Sequence, residues 1–335
     1  MNILIDMPVH EPLLKELESI PGLKIKVVDP PGNHIRELPK ELIDDTEVMF
    51  CTFPPINHRE MSKLKFIQIS SSGYKQLIGQ GFIQRNVRAS NARGVFDIPI
   101  AEWNIAMMVN LARDIRQILH NQDQQIWDRS PRFQFEIRGL TVGIWGYGGI
   151  GRETARLAKS MGLKIYVLSR KGITPRKNIY CVDGTGDEDG VLPDKVFLVH
   201  EKEKFLKSID FLLVAMPQTD DNQGIIGRHE LSLLKPSTFL LNPARGELIE
   251  EQDLINVLQN HKIAGAALDT HYYYPMPPNH PFWKMPNVIL TPHISGSSGS
   301  PKFLERIWEI FVQNVKHFQK DGVLLNELTI NDLKN

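Results

Sequence analysis

Thr141–Lys171 reads TVGIWGYGGIGRETARLAKSMGLKIYVLSRK. Val142 and Ile144 mark a buried strand that runs into Gly146-Tyr147-Gly148-Gly149-Ile150-Gly151. A helix follows, with Ile150, Thr154, Leu157, Ala158 and Met161 on one face. A second strand, Lys164–Leu168, ends at Ser169-Arg170-Lys171. Strand, G-x-G-x-x-G, helix, strand is the order that a dinucleotide-binding βαβ unit requires. The first glycine permits a tight turn, the second lets backbone approach a pyrophosphate, and the third lets helix and strand pack closely. The helix N-terminus then offers free N–H groups to an anion. A glycine-rich turn in some other α/β fold is the competing reading.

The chain on either side repeats this alternation. Candidate strands are Ile3–Ile5, Lys24–Val28, Val48–Cys51, Phe66–Ile69 and Val87–Ala89. Helical stretches lie between them, such as Glu11–Ile20 with Leu13, Leu14, Leu17 and Ile20 on one face. Alternating β and α elements predict a parallel sheet covered on both faces. This first unit has no glycine fingerprint, but its loop Ser70-Ser71-Ser72-Gly73-Tyr74 follows a strand, at the edge where open sheets bind ligands. Residues 98–128 read as one long helix, with Asp97 as N-cap and Pro99 in the first turn; it fits a domain hinge, a dimer surface or a core helix. Residues 172–200 are polar and turn-rich, with one candidate strand at Asn178–Val182, and read as a surface excursion beside the adenine end of a cofactor. Strands Phe211–Ala215, Thr238–Leu241 and Ile263–Leu268, with helices Asn222–Leu234 and Glu250–Gln259, complete a doubly wound sheet. Val288–Leu290 leads into TPHISGSSGS. A terminal helix follows, with Phe303, Ile307, Ile310, Phe311, Val315 and Phe318 on one face, and it is expected to cross back to the first domain.

With 335 residues, the chain has the length of about two domains. Its 39 basic and 39 acidic side chains cancel, which argues against a polyanion-binding protein. Cys51 and Cys181 make neither a disulfide framework nor a C-x-x-C metal pair, so no metal and no nucleic acid are expected. MNILIDMP has no basic n-region, and the apolar runs are too short to span a bilayer, so a cytoplasmic protein without membrane contact is expected.

Three stretches follow strand ends in the second half: Asn242-Pro243-Ala244-Arg245-Gly246, Leu268-Asp269-Thr270-His271 and Thr291-Pro292-His293-Ile294-Ser295-Gly296. Each would supply a polar group to the same sheet edge. Arg245 offers a planar fork that matches a carboxylate, against the plainer role of a surface ion pair. His293 can give a proton to a carbonyl oxygen as hydride reaches carbon, and take it back in reverse. Asp269 could accept a hydrogen bond from a nicotinamide carboxamide, or simply cap a turn.

Taken together, these motifs resemble the D-isomer-specific 2-hydroxyacid dehydrogenase family over nearly the whole chain. The matching segments are the loop at 71–74, Arg138-Gly139, the glycine fingerprint, Met216-Pro217-Gln218-Thr219, the Arg245 segment, Leu268-Asp269 and Thr291-Pro292-His293. The resemblance implies an α/β protein of two Rossmann-like, doubly wound parallel-sheet domains with the active site in the cleft between them. Residues 1–97 plus 291–335 would bind substrate and residues 98–290 would bind the dinucleotide, with a homodimer built on the helix at 98–128. It places the substrate arginine at Arg245, the catalytic histidine at His293 and the substrate-holding amides at Ser72 and Gly73. Cofactor contacts would come from the fingerprint, Ser169, Arg170, Lys171, Met216, Pro217, Asn242, Ala244, Asp269 and Gly296.

Two positions depart from that pattern. Most of the family has a glutamate five positions after the strand-end aspartate and before a proline, bonded to the catalytic histidine. Here Tyr274 stands there, before Pro275. A phenol can orient the ring but supplies no charge, so His293 is expected to titrate lower than in a His–Glu pair. Formate dehydrogenases also lack this glutamate, but carry an amide. The second departure is Ser169-Arg170-Lys171, where an NAD-selective fold usually has Asp or Glu for the ribose 2′-hydroxyl. Ser and Arg suit a 2′-phosphate, so NADP(H) is expected in preference to NAD(H).

The resulting reading is an NAD(P)-dependent oxidoreductase of small 2-oxo or 2-hydroxy acids, of glyoxylate/hydroxypyruvate reductase type. Arg93 and Lys75 are candidates for a second anionic group on the substrate, or are plain surface charges. The alternatives are a cofactor-binding sensor or corepressor-like protein, and a formate dehydrogenase-like enzyme that needs no proton relay.

Overall fold

The computed structural model describes residues 1–30 and 34–334. They form two compact units, described here one at a time. The first comprises Met1–Phe96, Lys177–Val182 and the chain from Ser298; the second comprises Asp97–Arg176 and Asp183–Ser297. The division differs from the expected boundaries in three places, the first being Asp97, which goes with the second unit. Residues 291–297 go with the second unit, and Lys177–Val182 go with the first.

The first unit is built on strands β1 (Asn2–Asp6), β2 (Lys24–Val27), β3 (Val48–Cys51), β4 (Phe66–Ile69) and β5 (Arg88–Ser90), parallel and in the order β2-β1-β3-β4-β5. β3 and β4 are buried throughout, as expected for strands covered on both faces. The helix Pro301–Phe318 starts at Ser300, whose Oγ accepts from Lys302 N–H. It lays Ile307, Trp308, Ile310, Phe311, Val312 and Val315 against Ile3, Ile5, Phe50 and Phe66. The Phe311 ring stacks on Phe50 with centroids 4.3 Å apart.

The second unit carries β6 (Thr141–Trp145), β7 (Lys164–Ser169), β8 (Lys195–Leu198), β9 (Phe211–Val214), β10 (Phe239–Asn242), β11 (Gly265–Leu268) and β12 (Val288–Leu290). All are parallel, in the order β12-β11-β10-β9-β6-β7-β8. The order reverses between β6 and β9, the switch point of a doubly wound sheet, and the fingerprint leaves β6 there.

Three local expectations need correction. The long helix is two helices, Asp97–Ala112 and Ile115–Asp123, separated by Asp114 at φ 46°. Aspartate tolerates this left-handed conformation better than most residues, so the chain can turn there although apolar residues continue beyond it. Asp97 opens the first turn rather than capping it. The expected helix 222–234 shrinks to Arg228–Ser232. The stretch 172–200 is not a simple surface excursion, because it contains strand β8, and Asn178–Val182 is not a strand. Tyr180 is instead buried in the first unit's core, and its N–H donates to Asn326 Oδ1 at 3.1 Å. Asn326 is wholly buried and returns N–H bonds to Asn91 O and Arg93 O, at 3.0 and 2.8 Å. Among the described residues no helix is long and apolar enough to cross a membrane.

Replacing Asn326 with Ala strands three backbone groups, two of them buried, and puts a Cβ-only residue at φ 56°. We expect a loss of roughly 2–4 kcal/mol of stability, measured by urea unfolding followed by circular dichroism. A midpoint within error of wild type would refute the anchoring role.

Candidate active site

Because the second sheet is wholly parallel, the carboxyl ends of its strands share one edge. The fingerprint follows β6, Met216-Pro217 follow β9, Asn242–Arg245 continue from β10, Asp269 follows β11, and the Thr291–Gly296 loop follows β12.

Asp269 is fully buried and organises this edge. Its Oδ1 accepts from Thr291 Oγ1 (2.5 Å) and Ile294 N–H (2.9 Å). Its Oδ2 accepts from Ser295 N–H (3.0 Å) and Ser295 Oγ (2.5 Å). Four donors fill the capacity of a carboxylate. Asp269 therefore holds the histidine loop in place. Asn242 is likewise spent on its own loop, donating to Arg245 O (2.8 Å) and accepting from Ala244 N–H (3.1 Å).

His293 sits in the pinned loop at φ 56°. Its Nδ1 lies 3.0 Å from the Tyr274 hydroxyl. That hydroxyl already accepts from His271 N–H at 3.2 Å. The phenol donates to Nδ1 when the ring proton is on Nε2 and accepts from Nδ1–H otherwise, so this bond orients the ring in either tautomer. His271 is buried and donates from Nε2 to Thr291 O at 2.8 Å, leaving its buried Nδ1 without a hydrogen-bond partner. Arg245 is exposed, donates to Ala244 O at 2.6 Å, and has no ion-pair partner among the described residues. The surface ion pair considered for it is not formed.

Burial lowers the His293 pKa below its ordinary 6.5; the Arg245 charge lowers it further and Asp269 opposes the shift. Burial raises the Tyr274 pKa, with the His271 N–H and Arg245 acting against that rise. Tyr274 is therefore a neutral phenol at neutral pH. The folded chain holds a proton on His293 less readily than the unfolded chain does. This residue's contribution to stability is therefore full above about pH 6.5 and is lost as pH falls through its lowered folded value.

The fingerprint fits a dinucleotide. Gly146 has φ 102°, and a Cβ there would lie 2.8 Å from backbone atoms of Ala215 and Met216. A Cβ on Gly151 would lie 2.6 Å from Gly146 O, whereas at Gly148 the space is open. The first intrahelical bond runs from Arg152 N–H to Gly148 O, so the N–H groups of Gly149, Ile150 and Gly151 have no intrahelical partner. Ile150 is half-buried, Pro217 is exposed, and Met216, Ala244 and Gly296 are half-buried along the edge. At the end of β7, Ser169 Oγ donates to Gly172 O at 2.7 Å, while Arg170 and Lys171 are exposed.

Sequence reading missed a group of buried ionic residues beside the fingerprint. Tyr147 OH donates to Asp187 Oδ2 at 2.6 Å. Arg152 is buried and donates to Tyr147 O (3.2 Å), Glu188 O (3.1 Å), Thr174 O (2.6 Å) and Asp187 O. Burial was the only signal, and it is not visible in a turn-rich stretch.

In the first unit, Ser72 Oγ donates to Ala92 O at 3.1 Å and Asn91 Nδ2 donates to Ser72 O at 2.7 Å. These bonds fix the loop after β4. The N–H groups of Ser72 and Gly73 have no hydrogen-bond acceptor among the described residues, and Gly73 is exposed.

Residues 105–295 match the family described as D-isomer specific 2-hydroxyacid dehydrogenase, NAD binding domain, and the chain belongs to that family. It is 30% identical over 302 residues to a D-3-phosphoglycerate dehydrogenase of Methanocaldococcus jannaschii, covering 89% of this chain and 54% of that one. The chain thus spans about half the length of that relative. It is 28% identical over 256 residues to a glyoxylate reductase of Thermofilum pendens, covering 75% of this chain and 71% of the relative. Among solved structures it is similar to an NADPH-dependent glyoxylate/hydroxypyruvate reductase of Sinorhizobium meliloti in complex with NADP and sulfate. The TM-score is 0.72 at 21% identity, over 98% of both chains.

A carboxylate facing His293 would oppose the lowering by burial and Arg245, so Tyr274→Glu should raise the His293 pKa by about one unit or more. NMR titration of the His293 Cε1–H resonance measures this. An unchanged midpoint would count against this.

Proposed function

We propose that this chain is an oxidoreductase of small 2-oxo and 2-hydroxy acids, preferring NADP(H) and of glyoxylate/hydroxypyruvate reductase type. The observation that carries this reading is one constellation. The Tyr274 hydroxyl lies 3.0 Å from His293 Nδ1, on a loop pinned by Asp269, near the unpaired guanidinium of Arg245.

A bound nicotinamide would supply or accept hydride at the carbonyl carbon. Arg245 offers two parallel donors to the acid's carboxylate, and its charge fixes which end of the acid enters first. In the first unit, Ser72 and Gly73 carry the backbone N–H groups that the family resemblance assigns to substrate holding, and neither has an acceptor among the described residues. With Nδ1 turned to Tyr274, Nε2 of His293 is the nitrogen that trades the proton with the substrate oxygen. In reduction, imidazolium gives that proton and ends neutral; in oxidation, the neutral ring takes it. Preference for NADP(H) is supported by the lack of a carboxylate at the end of β7 and by the exposed Arg170 and Lys171. Exposed Leu119, Ile126 and Trp127 on the 98–128 stretch support a homodimer face there.

A second reading has one observation in its favour. A neutral phenol in place of a carboxylate suits hydride transfer that needs no proton relay, as in formate oxidation.

The experiment is a pH-resolved screen of purified protein with NADPH or NADH against glyoxylate, hydroxypyruvate, pyruvate and, for the reverse direction, formate. We expect NADPH-dependent reduction that climbs as pH falls below about 6.5, because the proton donor is an imidazolium with a lowered pKa. His293→Ala should cut kcat on the order of 100-fold or more. Turnover of formate alone would transfer the assignment to the second reading. Tight NADPH binding with no turnover at any pH would instead favour a non-enzymatic sensor.

A further inference from the structure

We propose that Arg176 is a ligand of the cofactor's pyrophosphate and that Asp97 holds it in place at the fingerprint until the cofactor arrives. This rests on the reading that the second unit binds a dinucleotide.

The helix that receives the pyrophosphate begins at Gly149. Its missing side chain has a steric reason. A Cβ there would lie 1.7 Å from Asp97 Oδ2 and 2.5 Å from Arg176 Nη1. The ion pair itself, Arg176 Nη1 to Asp97 Oδ2 at 3.2 Å, therefore rests on the first turn of the fingerprint helix. Both side chains are largely buried, at 16% and 14% exposure. A carboxylate at a helix N-terminus is stabilised by the helix dipole, and so is a phosphate. The two compete for one place, and a guanidinium beside that place serves either anion with the same fork.

Arg176 reaches this place because its segment is nailed to the fingerprint. Its N–H donates to Glu188 O at 3.0 Å. Arg152, from the fingerprint helix, donates to Thr174 O, Asp187 O and Glu188 O on the same segment. Tyr147, inside the fingerprint, bonds Asp187. Arg176 also adds charge to a spot where Arg152 is already buried, and the Arg152 pKa is lowered by burial and then by Arg176. Two guanidinium groups packed this closely at a helix N-terminus favour an incoming anion.

The 2′-phosphate is a different anion, expected at the end of β7, and the test must separate the two. Calorimetry with wild type, Arg176→Ala, Arg176→Lys and Asp97→Asn should use three probes: NADPH, ADP-ribose and adenosine 2′-monophosphate. ADP-ribose carries only the pyrophosphate and adenosine 2′-monophosphate carries only the 2′-phosphate.

Arg176→Ala should weaken NADPH and ADP-ribose by about tenfold or more, the size of a lost charged hydrogen bond, and leave adenosine 2′-monophosphate unchanged. Arg176→Lys, which keeps the charge and serves as the fold control, should lose less. Asp97→Asn removes the competing charge and should tighten ADP-ribose several-fold. Weakening confined to adenosine 2′-monophosphate would make Arg176 a 2′-phosphate ligand and overturn the proposal. Unchanged affinities in both Arg176 variants, or weakening in Asp97→Asn, would overturn it too. If wild type bound none of the probes, the dinucleotide reading itself would fall, an outcome unlike any of these.

Discussion

The Asp269 carboxylate is the constraint on which the catalytic edge depends. It stands at the end of β11 with no exposure, and four donors from one loop converge on it. A buried carboxylate is costly unless its acceptor positions are filled. The loop after β12 therefore cannot relax without stranding that group. The consequence reaches His293 directly. Its N–H donates to Asp269 O at 2.8 Å, and its left-handed φ is held by bonds on either side. Strand pairing, loop shape and imidazole position are one cooperative unit, because β11 and β12 pair in parallel just before both ends.

Within that fixed frame, the partner of His293 decides which proton states are available. A carboxylate would accept from Nδ1, stabilise imidazolium, and in the neutral ring leave the Nε2 lone pair open as a base. Tyr274 acts differently because His271 N–H already occupies one of its acceptor positions. Toward a neutral ring the phenol can accept from Nδ1–H through its other lone pair, or donate to Nδ1 and leave the ring proton on Nε2. A neutral ring in that form can polarise a carbonyl but is a poor base toward a hydroxyl. To become imidazolium it must rotate the phenol proton away and bear its charge near Arg245. Formation of imidazolium is thereby disfavoured at neutral pH, which a carboxylate in the same place would not do.

Much of the fold was legible because its signals are periodic. Strands such as Val48–Cys51 and Phe66–Ile69 are short apolar runs that a doubly covered parallel sheet demands. The fingerprint was legible because glycines at this spacing follow a strand and open a helix, and Gly146 and Gly151 leave no room for a Cβ. The break at Asp114 was not, since the apolar residues carry on past it and a single left-handed residue leaves no periodic trace. Strand β8 escaped for a related reason: it is an edge strand with only Phe197 buried. In the site, Arg245, Tyr274 and His293 could be picked out by residue type and strand-end position. The saturation of Asp269 could not, because whether a carboxylate faces ligand or loop depends on hydrogen bonds between segments about 25 residues apart.

The stretch 172–200 shows most clearly where such reading stops. Its composition is that of a loop, yet nearly every informative side chain in it has a distant partner. Tyr180 reaches Asn326 and Glu309, Asp187 reaches Tyr147, and Arg176 reaches Asp97. Such pairings carry no period, so hydrophobic patterning cannot find them. Gly149 carries the complementary lesson. In the sequence it passes as one more glycine of the fingerprint, and its φ is not positive, so no turn requires it. What requires it is the space taken by two charged side chains, one from 27 residues later in the chain and one from 52 residues earlier. A glycine that conformation does not demand thus marks a place where other residues come close to the backbone. At a phosphate-binding helix, those residues are candidates for contact with the ligand.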